Sequence, residues 1–138
     1  MKGIRCTVYG IQLTVKGGRD MGDFQKLKVW LRAKNLAVYI YKTTEKGQFT
    51  KDYSLKDQIR RSAVSIPSNI SEGDEQGTNR QSVKFFSIAK GSTAELLNQA
   101  IIAYEIGYLT QEQFDHIKEE CLAISSMLAK LIRAREKS

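Results

Sequence analysis

The residues best suited to chemistry are cations. Lys56 and Arg60 are four apart, so in a helix they place two like charges on one face. Such a pair needs an anion nearby, from the chain or from a ligand. Asp57 and Arg61 have the same spacing with opposite charge, an ion pair worth only a few tenths of a kcal/mol where exposed. Arg80 and Lys84 lie on the outer face of a later helical pattern. Arg133 and Arg135 sit in the last turn of the final one, where cations suit either the helix dipole or a phosphate. Phosphate contacts by these seven residues would be weakly sequence-dependent and would weaken steeply with salt. For Arg60 and Arg61, an internal ion-pair network with Glu72 or Glu95 fits the sequence equally well.

Other chemistries find no support. The chain has one histidine, His116, so the two Glu-x-x-His pairs of a di-iron bundle and the HExxH zinc motif are both missing. Neither a Walker A loop nor GxGxxG occurs. No arginine stands five to seven residues before His116, as the Arg-x(4–6)-His motif of some helical ribonucleases requires. No histidine or lysine base stands out beside Ser62, Ser65 or Ser68. Glu72, Asp74 and Glu75 cluster where a turn is expected; they read as a solvated acidic turn in preference to a cation site. The reading is therefore a non-enzyme with no cofactor and no metal.

At 138 residues the chain fits one domain, and its charged fraction of 27% fits a globular protein. A net charge of +7 points to an anionic partner, nucleic acid being the usual one, or to a solvated basic surface. No apolar run reaches the ~18 residues of a membrane span. Cys6 and Cys121 have neither CxxC nor zinc spacing, which suits a reducing cytoplasm.

These cations must be carried by helices. Residues 23–138 are expected to form an all-α, up-down-up-down antiparallel four-helix bundle, with residues 1–22 a short non-helical extension. In the extension, Ile4, Cys6 and Val8 alternate, as do Ile11, Leu13 and Val15, a pattern that fits either strands or no structure. Gly17-Gly18 then breaks the chain, and Met21 follows, so residues 1–20 read as an appendage that an upstream start codon would explain.

The first helix is expected over about 23–44 with Asp23 as its N-cap. Its apolar residues form two stripes, one through Trp30, Leu31, Val38 and Tyr41, the other through Val29, Ala33, Leu36 and Ile40. Together they cover an arc of about 220°, wider than one core face needs. The excess predicts self-association. A polar linker follows, and Ser54 is expected to cap the second helix, whose stripe is Leu55, Ile59, Ala63, Ile66 and Ile70. Pro67 falls inside this pattern, predicting a kinked helix or a break at Ile66. Ser65, Ser68 and Asn69 are close enough to compensate the lost hydrogen bond.

A turn over Gly73–Gly77 leads to a capping box at Thr78 and Gln81. The third helix runs to about Ile106, with a core stripe that includes Phe86, Ala89, Leu96, Ala100 and Ala103. Gly91 in its middle implies that another backbone or a partner comes close. Ile88, Ile102 and Ile106 on its outer face fit a second protein contact. Gly107 ends it, and a capping box at Thr110 and Gln113 opens the fourth helix, with Cys121 inside its apolar stripe.

Several of these stretches resemble one family. Residues 24–30, FQKLKVW, resemble the FxxLxVW opening of the four-helix-bundle proteins encoded in intervening sequences of bacterial 23S ribosomal RNA genes, also called S23-type. Residues 58–73, QIRRSAVSIPSNISEG, are similar to that family's QIRRAxxSIPxNIAEG signature. Residues 85–97, FFSIAKGSTAELL, resemble its FLxIAxGSxxEL segment, with Lys90 where leucine is common. Gly107-Tyr108-Leu109 matches the turn before the last helix. The resemblance spans about residues 23–135. It implies a ring-like homopentamer, without making the chain a structural ribosomal protein. It also implies a relation to the basic, pentameric accessory protein of diversity-generating retroelements, which binds nucleic acid and a reverse transcriptase. Pro67, Asn69, Glu72, Gly73, Gly91 and Glu95 fall in the matched motifs and are expected to shape the bundle.

The resulting expectation is an oligomeric nucleic-acid-binding protein, with RNA favoured over DNA. The alternative is a protein-interaction scaffold, for example an accessory subunit for a reverse transcriptase.

Overall fold

The computed structural model describes the backbone of residues 4–8 and 11–15, and residues 21–137 in full. Strands β1 (Ile4–Val8) and β2 (Ile11–Val15) pair antiparallel, Ile4 opposite Val15 and Val8 opposite Ile11. The alternation thus forms strands; Gly10 and Gly17-Gly18 lie outside the described residues. The helices are α1 (Lys28–Thr44), α2 (Tyr53–Glu75), α3 (Asn79–Glu105) and α4 (Gln111–Glu136). Each packs on its sequence neighbours, and α1 closes the bundle against α4. One apolar core unites all four, with Ile40, Ile59, Ile66, Phe86, Leu96, Ile117 and Leu128 fully buried.

The expected first helix is interrupted at its start. Residues Asp23–Lys26 form a 3₁₀ turn capped by Gly22 in the left-handed region, and Leu27 is extended before α1 begins. Asp23 is therefore not the cap of α1; it lies in the first turn of the 3₁₀ segment and pairs with Lys26 at 3.5 Å. The break lets Phe24 fold back edge-on to Trp30, ring centroids 5.0 Å apart. Gly22 N donates to Glu75 Oε1 at 3.0 Å, fastening this entry to the end of α2.

The α1–α2 link is not merely polar. Phe49, in a 3₁₀ turn over Gly47–Thr50, is fully buried against Tyr108. Tyr108 Oη donates to Asp52 Oδ2 at 3.0 Å, while Asp52 Oδ1 accepts from Leu55 N at 3.1 Å. That makes Asp52, not Ser54, the N-cap of α2. The same bond to Asp52 raises the Tyr108 phenol above its ordinary pKa.

Helix α2 continues through Pro67 without a break. Asn69 Nδ2 donates to Ser65 O at 2.8 Å and Ser65 Oγ at 3.0 Å, on the carbonyl two residues before the proline. The expected turn at Gly73 is displaced: α2 runs to Glu75, and Gly73 is a buried helical residue. Its neighbour Asp74 is buried too and pairs with Arg135, so the acidic turn is not solvated as a whole. Thr78 caps α3 by accepting from Gln81 N, and the Thr110–Gln113 box forms in both directions. Gly107 closes α3 at φ 87°. Nothing among the described residues lies within 4 Å of a Cβ built at Gly91, so none of their backbone explains that glycine.

Candidate nucleic-acid interface

The first turns of α2 and the last turn of α1 meet at one end of the bundle. There Tyr53, Ser54, Lys56, Asp57 and Arg60 line an open cleft of about 500 Å³. Arg60 is held firmly by neutral groups. Its Nε donates to Thr44 Oγ1 at 2.8 Å, its Nη2 donates to Tyr41 O at 3.2 Å, and its guanidinium lies 4.3 Å over the Tyr41 ring. Thr44 Oγ1 in turn donates to Ile40 O at 2.7 Å. These acceptors sit at the C-terminus of α1, the end of a helix dipole that favours a cation. No carboxylate stands within ion-pair distance of Arg60 among the described residues.

Arg61 points elsewhere. Its Nε meets Asp57 Oδ2 at 2.9 Å, with both side chains mostly in water, so the pair contributes little to stability. Neither Arg60 nor Arg61 reaches Glu72 or Glu95, so the internal network weighed from sequence does not form with those partners. Arg61 instead borders a polar groove of about 280 Å³, where Ser62 and Ser65 of α2 face Ser92, Glu95 and Gln99 of α3. Ser65 and Ser92 share a hydroxyl hydrogen bond of 2.7 Å. Gln99 Oε1 is buried with no partner among the described residues. This groove was readable in principle, because residues 58, 61, 62 and 65 follow the i, i+3, i+4, i+7 rule of one helical face.

The remaining cations gather at the opposite end, about 20–30 Å away along the helix axes. Arg80 and Arg135 flank a cleft of about 470 Å³ between α3 and α4, with Lys84 and Arg133 exposed nearby. Arg135 is largely engaged within the fold. It approaches Asp74 Oδ1 at 3.6 Å, donates to Ser82 Oγ at 3.4 Å and lies 5.6 Å from the Phe86 ring centroid. Ser82 Oγ donates onward to Gly73 O at 2.7 Å. Six of the seven candidate cations thus form two separate groups, with Arg61 on a different groove from either, instead of one stripe.

Sequence reasoning missed the Arg32–Glu120 pair, bonded at 3.0 and 3.1 Å, which ties α1 to α4. The hydrogen bonds and charge of Glu120 raise the Arg32 pKa. Burial pushes the Cys121 thiol up to about 12, with the Glu120 charge adding to it. Among the described residues, no group of three His, Cys, Asp or Glu side chains could hold a metal, and no helix is long and apolar enough to cross a membrane.

No curated protein matches the chain. A crystal structure of a protein of unknown function from the S23 ribosomal protein family of Bacteroides thetaiotaomicron is similar to it, with a TM-score of 0.70 and 26% identity. That match covers 75% of this chain and 97% of the other. The family model described as 23S rRNA-intervening sequence protein matches residues 25–130. With motifs, bundle and family model in agreement over most of its length, the chain belongs to the 23S rRNA-intervening sequence protein family.

Proposed function

We propose that this protein is a non-enzymatic, homo-oligomeric nucleic-acid-binding protein of the cytoplasm that takes RNA in preference to DNA. The observation that carries the reading is Arg60. Its guanidinium is fixed by a hydroxyl, a carbonyl and a ring, so its position is set while its formal charge has no carboxylate partner among the described residues. Lys56 stands one turn away in the same open cleft, on a chain of net charge +7. Two such cations suit phosphate oxygens. Arg80, Lys84 and Arg133 would extend the contact at the other end, and Arg61 and Arg135 would contribute what their internal partners leave free. The family's tie to an intervening sequence of 23S rRNA favours RNA.

Self-association accounts for the outer face of α1, where Leu31, Val38 and Tyr41 remain exposed after the bundle has closed. The family resemblance favours a pentamer as that oligomer. A second reading, a scaffold for a protein such as a reverse transcriptase, draws on Ile88, Ile102 and Ile106, exposed along α3.

Binding to 23S rRNA fragments, followed over a salt series, tests the main reading. The expected result is binding at low salt that weakens steeply as salt rises. Absence of binding at low salt overturns it. Light-scattering mass with and without RNA reads the assembly in the same samples, and a monomer under all conditions removes the oligomer.

A further inference from the structure

We infer that the cleft at the start of α2 takes an unpaired nucleotide, its base stacked on Tyr53 and its phosphates held by Lys56 and Arg60, so that the ligand is single-stranded RNA and not a duplex. This rests on the nucleic-acid reading above and narrows it.

Tyr53 is the most exposed large apolar side chain among the described residues, at 77%. A tyrosine so placed contributes nothing to the core that needs its ring, and its hydroxyl has no partner among the described residues. Its neighbours give the ring a context. Tyr53, Lys56 and Arg60 follow i, i+3, i+7 spacing, so they stand on one face of α2 and line one cleft. Seven residues of helix separate the aromatic from the guanidinium by about 10 Å, with the lysine between them. An aromatic platform beside a short line of cations is the arrangement that single-stranded nucleic acid requires. The ring takes a base face and the cations follow the backbone.

The details of the cleft fit. Arg60 uses Nε and Nη2 on α1, and the contact with Tyr41 fixes the plane of its guanidinium. Nη1 has no partner among the described residues and remains for a phosphate oxygen. Asp57, the one carboxylate lining the cleft, is engaged by Arg61 at 2.9 Å, which offsets its repulsion of a phosphate. A duplex could meet the cations but not the ring, because its bases are already stacked on one another. A π-face reads no base edge, so the site tolerates any base.

The test uses the full chain, a short labelled oligouridine and a blunt RNA duplex, with affinity measured by fluorescence anisotropy. The oligouridine should bind more tightly than the duplex. Tyr53→Ala should weaken the oligouridine about ten-fold and leave the duplex unchanged. Tyr53→Phe keeps the ring and should bind as the unaltered chain does. The salt slope should be the same in Tyr53→Ala and fall by about 0.7 in Lys56→Gln. Equal affinity of Tyr53→Ala and the unaltered chain for oligouridine overturns the stacking site and leaves phosphate binding standing. Tighter binding of the duplex does the same. Failure of the unaltered chain to bind either RNA at low salt overturns both readings.

Discussion

Gly73 lies directly beneath the ring of Phe86: a Cβ built on the glycine would sit 2.6 Å from Cε1 and 2.8 Å from Cδ1. Phe86 is fully buried and cannot yield. Gly73→Ala should therefore destabilise the bundle by about 1–2 kcal/mol, because overpacking outweighs the up to ~1 kcal/mol that alanine gains in a helix. Urea unfolding measures it. Phe86→Leu added to Gly73→Ala should recover part of the loss, whereas simple additivity of the two would place the strain elsewhere.

Arg135 is the partner that Asp74 meets at the far end of α4. The carboxylate is 1% exposed and the arginine side chain 25%. Arg135→Met should cost roughly 2–3 kcal/mol, less than a fully buried pair because the guanidinium keeps access to water. Arg135→Lys should cost less, and chemical unfolding of the two variants side by side gives the order.

Gln99 carries a buried carbonyl oxygen that accepts no hydrogen bond from the described residues. Gln99→Leu keeps the bulk and removes the unmet acceptor, so the unfolding free energy should rise by about 1 kcal/mol. A fall of similar size would mean that the amide is satisfied in solution.

Cys121 titrates near 12 in the folded chain against 9.0 for an ordinary thiol, chiefly because it is buried. Below pH 9 both states hold the proton and the thiol has no effect on the pH dependence. Above it the unfolded chain releases the proton first, so stability falls by up to ~1.4 kcal/mol per pH unit until the folded thiol also ionises. Comparison with Cys121→Ala isolates this slope from that of lysines and tyrosines. At neutral pH the native thiol should react with a disulfide reagent only as fast as the chain opens.

Much of the bundle can be read from local pattern. The apolar stripes of α2 and α4, the caps at Thr78 and Thr110 and the stop at Gly107 depend on neighbours three or four residues away, which a sequence displays. The departures depend on residues that the fold brings together. Asp52 outcompetes Ser54 as a cap because Tyr108, 56 residues further on, holds its other oxygen. Gly73 sits inside a helix and is a glycine because the ring of Phe86 occupies the space a Cβ would need. Leu27 breaks the first helix so that Phe24 can reach Trp30. At the candidate site, the cations and their shared face were visible, but the partners of Arg60 were not. Charge patterning directs attention to carboxylates, and Arg60 found a backbone carbonyl and a hydroxyl, which every stretch of chain can offer.

The anchoring of Arg60 has an entropic consequence. A free arginine has several rotatable bonds, and ordering such a side chain on a ligand costs about 0.5–1.5 kcal/mol. Here that freedom is lost when α1 docks on α2, before any ligand arrives. The guanidinium meets a phosphate already oriented, so the corner that stabilises the fold also leaves binding with a smaller penalty. Loosening that corner, by Thr44→Val for instance, would weaken binding without touching a single ligand atom.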